Sequence, residues 1–284
     1  MAMSFSSLIE CVDKINSLGD EFWLSGLCSR KIKELEFHDR DRDPEFIKKT
    51  LSDSDTFDKF YGNKKYYQAT KRSSEYVQSW IKSNASPDSV FLDYACGNGA
   101  NALNAAKCGV GLSLGLDISS VSIANARKSA TDMGIDNVMF FQADAENTQL
   151  PDSSIDLIIC SGMLHHLDLS FAFPELRRIL KPGGRLLAVE ALDYNPAIKM
   201  YRKLTPDMRT EWEKAHILDL RDVDFASRFF NVISIRYWHV TGYIGGKIPL
   251  LMSFFNGLDT FLERIPYVQR WSWIFTFELQ KPFE

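Results

Sequence analysis

A chain of 284 residues, 45% hydrophobic and 25% charged with 16 Gly and 10 Pro, describes a globular core with a small appendage and excludes collagen, coiled coil and wholesale disorder. Lys plus Arg number 33 against 37 Asp plus Glu, a net charge of −4, which is not the basic balance of a nucleic-acid binder, so no nucleic acid is expected as a partner. Five cysteines, at 11, 28, 96, 108 and 160, are odd in number and form no CxxC pair, so a reduced cytoplasmic protein is expected. The first residues lack a basic lead followed by an apolar run, so no signal peptide is expected. The longest apolar stretch, 248–262, is short and carries Asp259, so no transmembrane segment is expected either.

Residues 1–82 read as helical and polar-rich. The mixed charges of 30–49 predict a solvated helical face and turn, and 56–81 is dense in aromatics. From Ser86-Pro87 the texture changes. VFLDYA (90–95) reads as a buried strand ending in a glycine turn, and 99–108 as a helix closed by Gly109. GLSLGLD (111–117) is a second strand. SSVSIANARKSATDM (119–133) is a helix with Ser at its start and Gly134 past its end. VMFFQAD (138–144) and IDLIICS (155–161) are further strands, 173–180 is a helix, and GRLLAVEAL (184–192) is a fifth strand. Strands apolar on both faces that alternate with helices indicate a parallel sheet covered on both sides, a doubly wound α/β fold. After 192 the rhythm breaks: 193–228 reads as helical, and 231–240 and 271–280 are strand-like around an apolar insert, 241–270.

Ligands of open α/β sheets sit beyond the carboxyl ends of the strands. The first strand ends there in Asp93, followed by Gly97-Asn98-Gly99, where bare backbone can approach a ligand. The second ends in Asp117, whose carboxylate suits the two hydroxyls of a ribose. The third ends in Asp144-Ala145, where an acid can accept from an exocyclic amine. One such aspartate is readily explained as a helix cap; three at successive strand ends are not. Gly97, Gly99 and Ala102 also satisfy the dinucleotide pattern GxGxxA, which brings NAD into consideration. Asp93 beside the turn would repel a pyrophosphate, Asp144 adds a third acid, and no second mononucleotide half follows. A pocket lined by acids prefers a cationic nucleoside without phosphates, and S-adenosylmethionine has that charge pattern.

VFLDYACGNGANAL, GLDIS, ADAENTQLPDSSIDLIICSGMLHHL and ELRRILKPGGRLLAVE resemble, in order and spacing, the motifs of class I S-adenosylmethionine-dependent methyltransferases, over about residues 75–192. The resemblance implies a Rossmann-like sheet of seven strands, mostly parallel with the last antiparallel. It also implies an N-terminal helical lid (1–82) and a methyltransferase domain (83–284) with its core at 86–192, acceptor-side helices at 193–230 and the insert before the last strand. Gly97, Asn98 and Gly99 would cradle the methionine part, with Asp93 near its ammonium. Asp117 would hold the ribose, Ile118 pack on the adenine, Asp144 accept from its amine with Ala145 beside it, and Ser161 face the methionine end. Ala95 stands where the family often has glycine, and one added methyl is expected to be tolerated. Lys181-Pro182-Gly183-Gly184 resembles the family's turn before strand five, a structural element.

The expected product is S-adenosylhomocysteine, and the expected acceptor a small or medium-sized molecule or a peptide, methylated at oxygen, either carboxylate or hydroxyl. His165 and His166 follow the fourth strand and are candidates to take a proton, against a purely structural role in the turn. Arg202 and Arg209 are candidates to clamp an anionic acceptor, against a solvated helix with the pair Arg209–Glu213. Among Phe57, Phe60, Tyr61, Tyr66 and Tyr67, Tyr67 is the candidate lid residue, against plain aromatic packing. The insert is expected to cover the pocket or to contact another subunit. No residues are assigned to a metal. Two rivals are non-methylating chemistry in the same pocket and a non-catalytic cofactor-binding module.

Overall fold

The computed structural model of the protein describes residues 4–42, 68–245 and 248–283. Seven strands form one sheet in the order β3-β2-β1-β4-β5-β7-β6. They are β1 Val90–Tyr94, β2 Leu112–Asp117, β3 Val138–Gln142, β4 Ile155–Ser161, β5 Leu180–Ala191, β6 Asn231–Trp238 and β7 Ile274–Gln280. The first five pair in parallel, and β7 runs antiparallel between β5 and β6. Every residue of β1 and β2 is buried, as apolar runs covered on both faces must be.

Helices cover both faces. On one side α1 (Phe5–Asn16) places Leu8, Val12 and Ile15, one face at helical spacing, into the same buried cluster as Leu92, Leu114 and Phe141. Burying each contributes about 1.5–3 kcal/mol. The Ser4 side chain caps α1 by accepting from Ser7 N. Helices α2 (Gly19–Gly26) and α3 (Ser29–Arg42) follow. On the other side α4 (Lys71–Asn84) packs Val77, Trp80 and Ile81 with Phe91, Ile159 and Leu187. Between strands lie α5 (Ala100–Lys107), α6 (Ser120–Met133) and α7 (Leu169–Ile179). Ser119 caps α6, and Gly134 ends it at φ +62°, a conformation glycine adopts without strain.

Beyond β5 come α8 (Pro196–Leu204), α9 (Glu211–Ala215) and α10 (Leu220–Ala226). In the insert, α11 (Met252–Leu262) is tied to α4 by the two-pronged Arg72–Glu263 pair at 2.8 Å. Among the described residues, no helix is long and apolar enough to cross a membrane.

Several boundaries differ from expectation, and two have a clear local cause. The fifth strand begins at Leu180, not 184: Ile155 pairs with Leu180 and Leu157 with Arg185, so Lys181–Gly184 forms an irregularity within the strand, with Gly183 at φ +77°. The sixth strand stops at Trp238 because His239 adopts φ +67°, which breaks the ladder. The order in which strands are added to the sheet reverses between the parallel neighbours β1 and β4, and the crevice at their carboxyl ends is where a ligand site is expected.

Candidate active site

A cavity of about 240 Å³ opens at that point, and Asp93, Asp117 and Asp144 all line it. Asp93 is buried on β1 and accepts from Ala102 N at 3.1 Å and from Asn101 Nδ2 at 3.5 Å. Burial pushes its carboxyl up to about 7, against the lowering effect of those bonds. Asp117 accepts from Ser119 N at 2.9 Å and from Gly97 N at 2.8 Å. Asp144 accepts from Glu146 N at 2.9 Å. Asp93 therefore braces the start of α5, Asp117 the turns after β1 and β2, and Asp144 the turn after β3, and all three also face the cavity.

The turn after β1 passes through left-handed backbone at Ala95 (φ +56°), Gly97 (φ +53°) and Gly99 (φ +80°). The alanine methyl is accommodated at Ala95, but in a conformation that costs a non-glycine residue about 1–2 kcal/mol. A Cβ at Gly97 would stand 3.4 Å from the Arg42 guanidinium, inside the cavity wall. A Cβ at Gly99 would lie 2.6 Å from the Phe140 ring, so packing of α5 against β3 dictates that glycine. Gly99 and Asn98, expected in the cradle, do not line the cavity in this structure; the Asn98 side chain accepts from Asn125 at 3.3 Å. Ala95, Ile118, Ala145 and Ser161 do line it, and so does Asn101, which the sequence reading passed over.

The largest departure is α3. Its charges were expected in solvent, yet Arg30, Lys31, Glu34, His38 and Arg42 form one face turned into the cavity. Lys31 Nζ donates to Asp144 at 2.5 Å and lies 2.8 Å from Glu146. Arg42 pairs with Asp117 at 3.3 Å and also bonds the Ser122 hydroxyl. Arg30 donates to Glu146 at 2.5 Å and to the His166 carbonyl at 2.7 Å. Asp39 accepts from the Ser119 hydroxyl. The available signal was complementarity: a helix that carries Arg30, Lys31 and Arg42 on one face beside a sheet with acids at its strand tips.

The two histidines after β4 are held by different carboxylates. His165 Nδ1 lies 2.6 Å from Oε2 of Glu190, which is 1% exposed on β5 and also accepts from the backbone of Met163 and Leu164. Glu190 was not singled out in the sequence, although it too is an acid near a strand end. His166 Nδ1 lies 2.8 Å from Glu34. Burial, then the neighbouring His165, lowers the His166 imidazole pKa, against the raising effect of Glu34. Burial likewise holds His38 well below the usual imidazole range. His166 lines the cavity and His165 lies just behind it, the ring centroids 4.1 Å apart.

Arg202 and Arg209 are not brought to the cavity. Arg202 pairs with Asp193 at 2.9 Å, and Arg209 bonds Thr205 and lies 3.5 Å from Glu213, the helical pair weighed against an acceptor clamp. The described residues of the insert do not line the cavity either. Tyr67, with Phe57, Phe60, Tyr61 and Tyr66, lies outside the described residues.

This donor and acceptor set fits a ligand bearing hydroxyls, an amine and positive charge, because cations already sit on two of the three carboxylates. Residues 92–188 match the family model described as a methyltransferase domain. Over those residues, about a third of the chain, the match supports the resemblance to class I S-adenosylmethionine-dependent methyltransferases. Among curated relatives, 27-O-demethylrifamycin SV methyltransferase of Amycolatopsis mediterranei is 35% identical over 98 residues, 34% of this chain and 36% of that protein. The ubiquinone/menaquinone biosynthesis C-methyltransferase UbiE of Psychromonas ingrahamii is 39% identical over 89 residues, 30% of this chain and 36% of that protein. The chain thus matches about a third of the length of these relatives. In fold it is similar to the YcgJ protein of a Bacillus, with TM-score 0.52 and 20% identity over 73% of this chain and 99% of that one. It is also similar to geranyl diphosphate C-methyltransferase from Streptomyces coelicolor, with TM-score 0.55 and 16% identity over 74% and 80%.

Proposed function

We propose that the protein transfers a methyl group from S-adenosylmethionine to an oxygen of a small or medium-sized acceptor. The observation that carries this reading is the trio Asp93, Asp117 and Asp144 converging on one cavity within the matched domain. When bound, the cofactor supplies a methyl group on a positively charged sulfur. The chain binds, orients and excludes water. Asp117 would accept from the ribose hydroxyls and Asp144 from the adenine amine, with Ile118 and Ala145 beside the ring. Asp93, Gly97 and Ser161 would meet the methionine end. In this structure Arg42 and Lys31 donate to two of those carboxylates, so the cofactor's donors compete with α3 for the same oxygens. Of residues 1–82, expected as a lid, α3 is accordingly the part proposed to act as one, because α1 and α4 are packed into the core.

An oxygen acceptor is supported by His165. The bond from Nδ1 to Glu190 fixes the ring and leaves Nε2 to take a hydroxyl proton. His166, whose Nδ1 is likewise held by a carboxylate, that of Glu34, and whose ring lines the cavity, is the second candidate for this role. A clamp on an anionic acceptor has less support, because both candidate guanidiniums already have partners.

Incubation with S-adenosylmethionine and a panel of hydroxyl and carboxyl acceptors, read by mass spectrometry, tests the reading. A gain of one methylene is expected, with His165→Ala slowing turnover more than it weakens cofactor binding. A product with no added carbon would point to non-methylating chemistry. Tight cofactor binding with no turnover of any acceptor would point to a binding module.

A further inference from the structure

We propose that Glu34, His38 and His166 form a site for one divalent transition-metal ion of the zinc type, joining α3 to the rim of the cavity. This goes beyond the methyl-transfer reading and does not depend on it. Each of the three residues offers one ligand atom, and these atoms lie within 4.8 Å of one another. Glu34 Oε2 is 2.8 Å from His166 Nδ1 and 4.0 Å from His38 Nε2. The two imidazoles meet edge to face at 86°, with ring centroids 4.6 Å apart. They are therefore not stacked; one nitrogen of His166 is within hydrogen-bond distance of the Glu34 carboxylate, and one of His38 is at ion-pair distance from it.

Glu34 and His38 are one helical turn apart on α3, while His166 comes from the turn after β4. No ligand spacing of this kind is visible in the sequence. Two imidazoles and a carboxylate make the donor set that zinc, cobalt, iron and manganese ions accept. A charge argument points the same way. Glu34 is 7% exposed, yet among the described residues no Lys or Arg lies within ion-pair distance of it. Its partners are two imidazoles, so a cation between them would supply the missing positive charge. A second carboxylate, that of Glu213, lies within ligand reach of His165 and His166 and would further offset the ion. The charge of nearby Arg42 is met by Asp117. All three ligands line the cavity, so a coordination position left open by a three-ligand set faces the space shared with Ser161 and Met163. That position is where a water or an acceptor oxygen would bind.

The test uses the full-length, untagged, chelator-treated protein. It is titrated with cobalt(II), read by its visible d–d absorption, and with zinc(II), read by calorimetry. One ion per chain is expected. Affinity should fall at least about tenfold in His38→Ala and Glu34→Gln, the scale of losing a ligand or its support. It should be unchanged in His216→Ala, whose ring stacks on Trp212 outside the cluster. Circular dichroism establishes folding, and His38→Asn replaces any alanine variant that does not fold. Absence of saturable binding, or affinity equal to wild type in both His38→Asn and Glu34→Gln, overturns the proposal. Titration of the metal-free protein with S-adenosylhomocysteine keeps the two readings apart. Nucleoside binding without metal binding sinks this site alone, and metal binding without nucleoside binding sinks the cofactor reading alone.

Discussion

Asp117 is pulled in two directions: the backbone of Gly97 and Ser119 holds it in place, and Arg42 competes for the face it offers the cavity. Its proposed ribose role gives a signed pair of outcomes. Asp117→Ala should weaken S-adenosylhomocysteine binding by about 1–3 kcal/mol, the range for hydrogen bonds to a charged group. Arg42→Ala, which removes the competitor, should tighten it. Calorimetry reads both, and weaker binding in the Arg42 variant would make that guanidinium part of the binding wall. Asp93 adds a pH dependence. Its carboxyl titrates near 7 in the free protein because it is buried, so its contribution to stability is fully present below the ordinary carboxylate range and is lost as pH rises through 7. A ligand ammonium beside it favours the ionised form. Affinity for the nucleoside should therefore rise from about pH 6 to about pH 8, and Asp93→Asn should flatten that rise. An equal slope in wild type and variant would remove Asp93 from the ammonium. These aspartates were legible because a buried strand that ends in an acid has few structural uses for it. The closeness of Gly99 to the Phe140 ring was not legible, because a glycine that admits a ligand and one that admits a neighbouring ring look identical in sequence.

At the scale of elements, α3 shows what a one-dimensional reading loses. A run of alternating charge has the same pattern whether it faces water or an oppositely charged site. Only the sheet, with its acids, decides between them. The interface of α3 with the core holds His38 and His166, both depressed by burial. A histidine whose folded pKa is depressed contributes stability present above its ordinary pKa and lost as pH falls below it. Acidification to about pH 5 should therefore loosen α3 before the sheet. Hydrogen exchange over Ser29–Arg42 should accelerate relative to β1 and β4 on moving from about pH 7.5 to about pH 5. Uniform exchange at both pH values would mean that these imidazoles do not gate the helix. The insert posed the opposite difficulty. Its apolar character suggested a cover for the pocket, but α11 is fastened to α4 through Arg72 and Glu263, and Phe254 and Phe261 are exposed there.

Over the whole molecule the sheet was the most legible feature. The five parallel strands announce themselves as apolar runs between helices, because such strands must be covered on both faces. That the last strand is antiparallel came from resemblance, but its place between β5 and β6 was not foreseen, since no local pattern encodes strand order. Contacts spanning more than a hundred residues, such as Glu34 with His166 and Lys31 with Asp144, had no signal in sequence spacing. The central claim concerns the switch point between β1 and β4: an acid-tipped crevice, now met by the cations of α3, is built for a cationic sulfur nucleoside. A crystal structure of the S-adenosylhomocysteine complex tests it most directly. The account predicts ribose hydroxyls on Asp117 and the adenine amine on Asp144, with Arg42 and Lys31 withdrawn from those oxygens. A nucleoside bound elsewhere, or one that leaves both ion pairs intact, would contradict it.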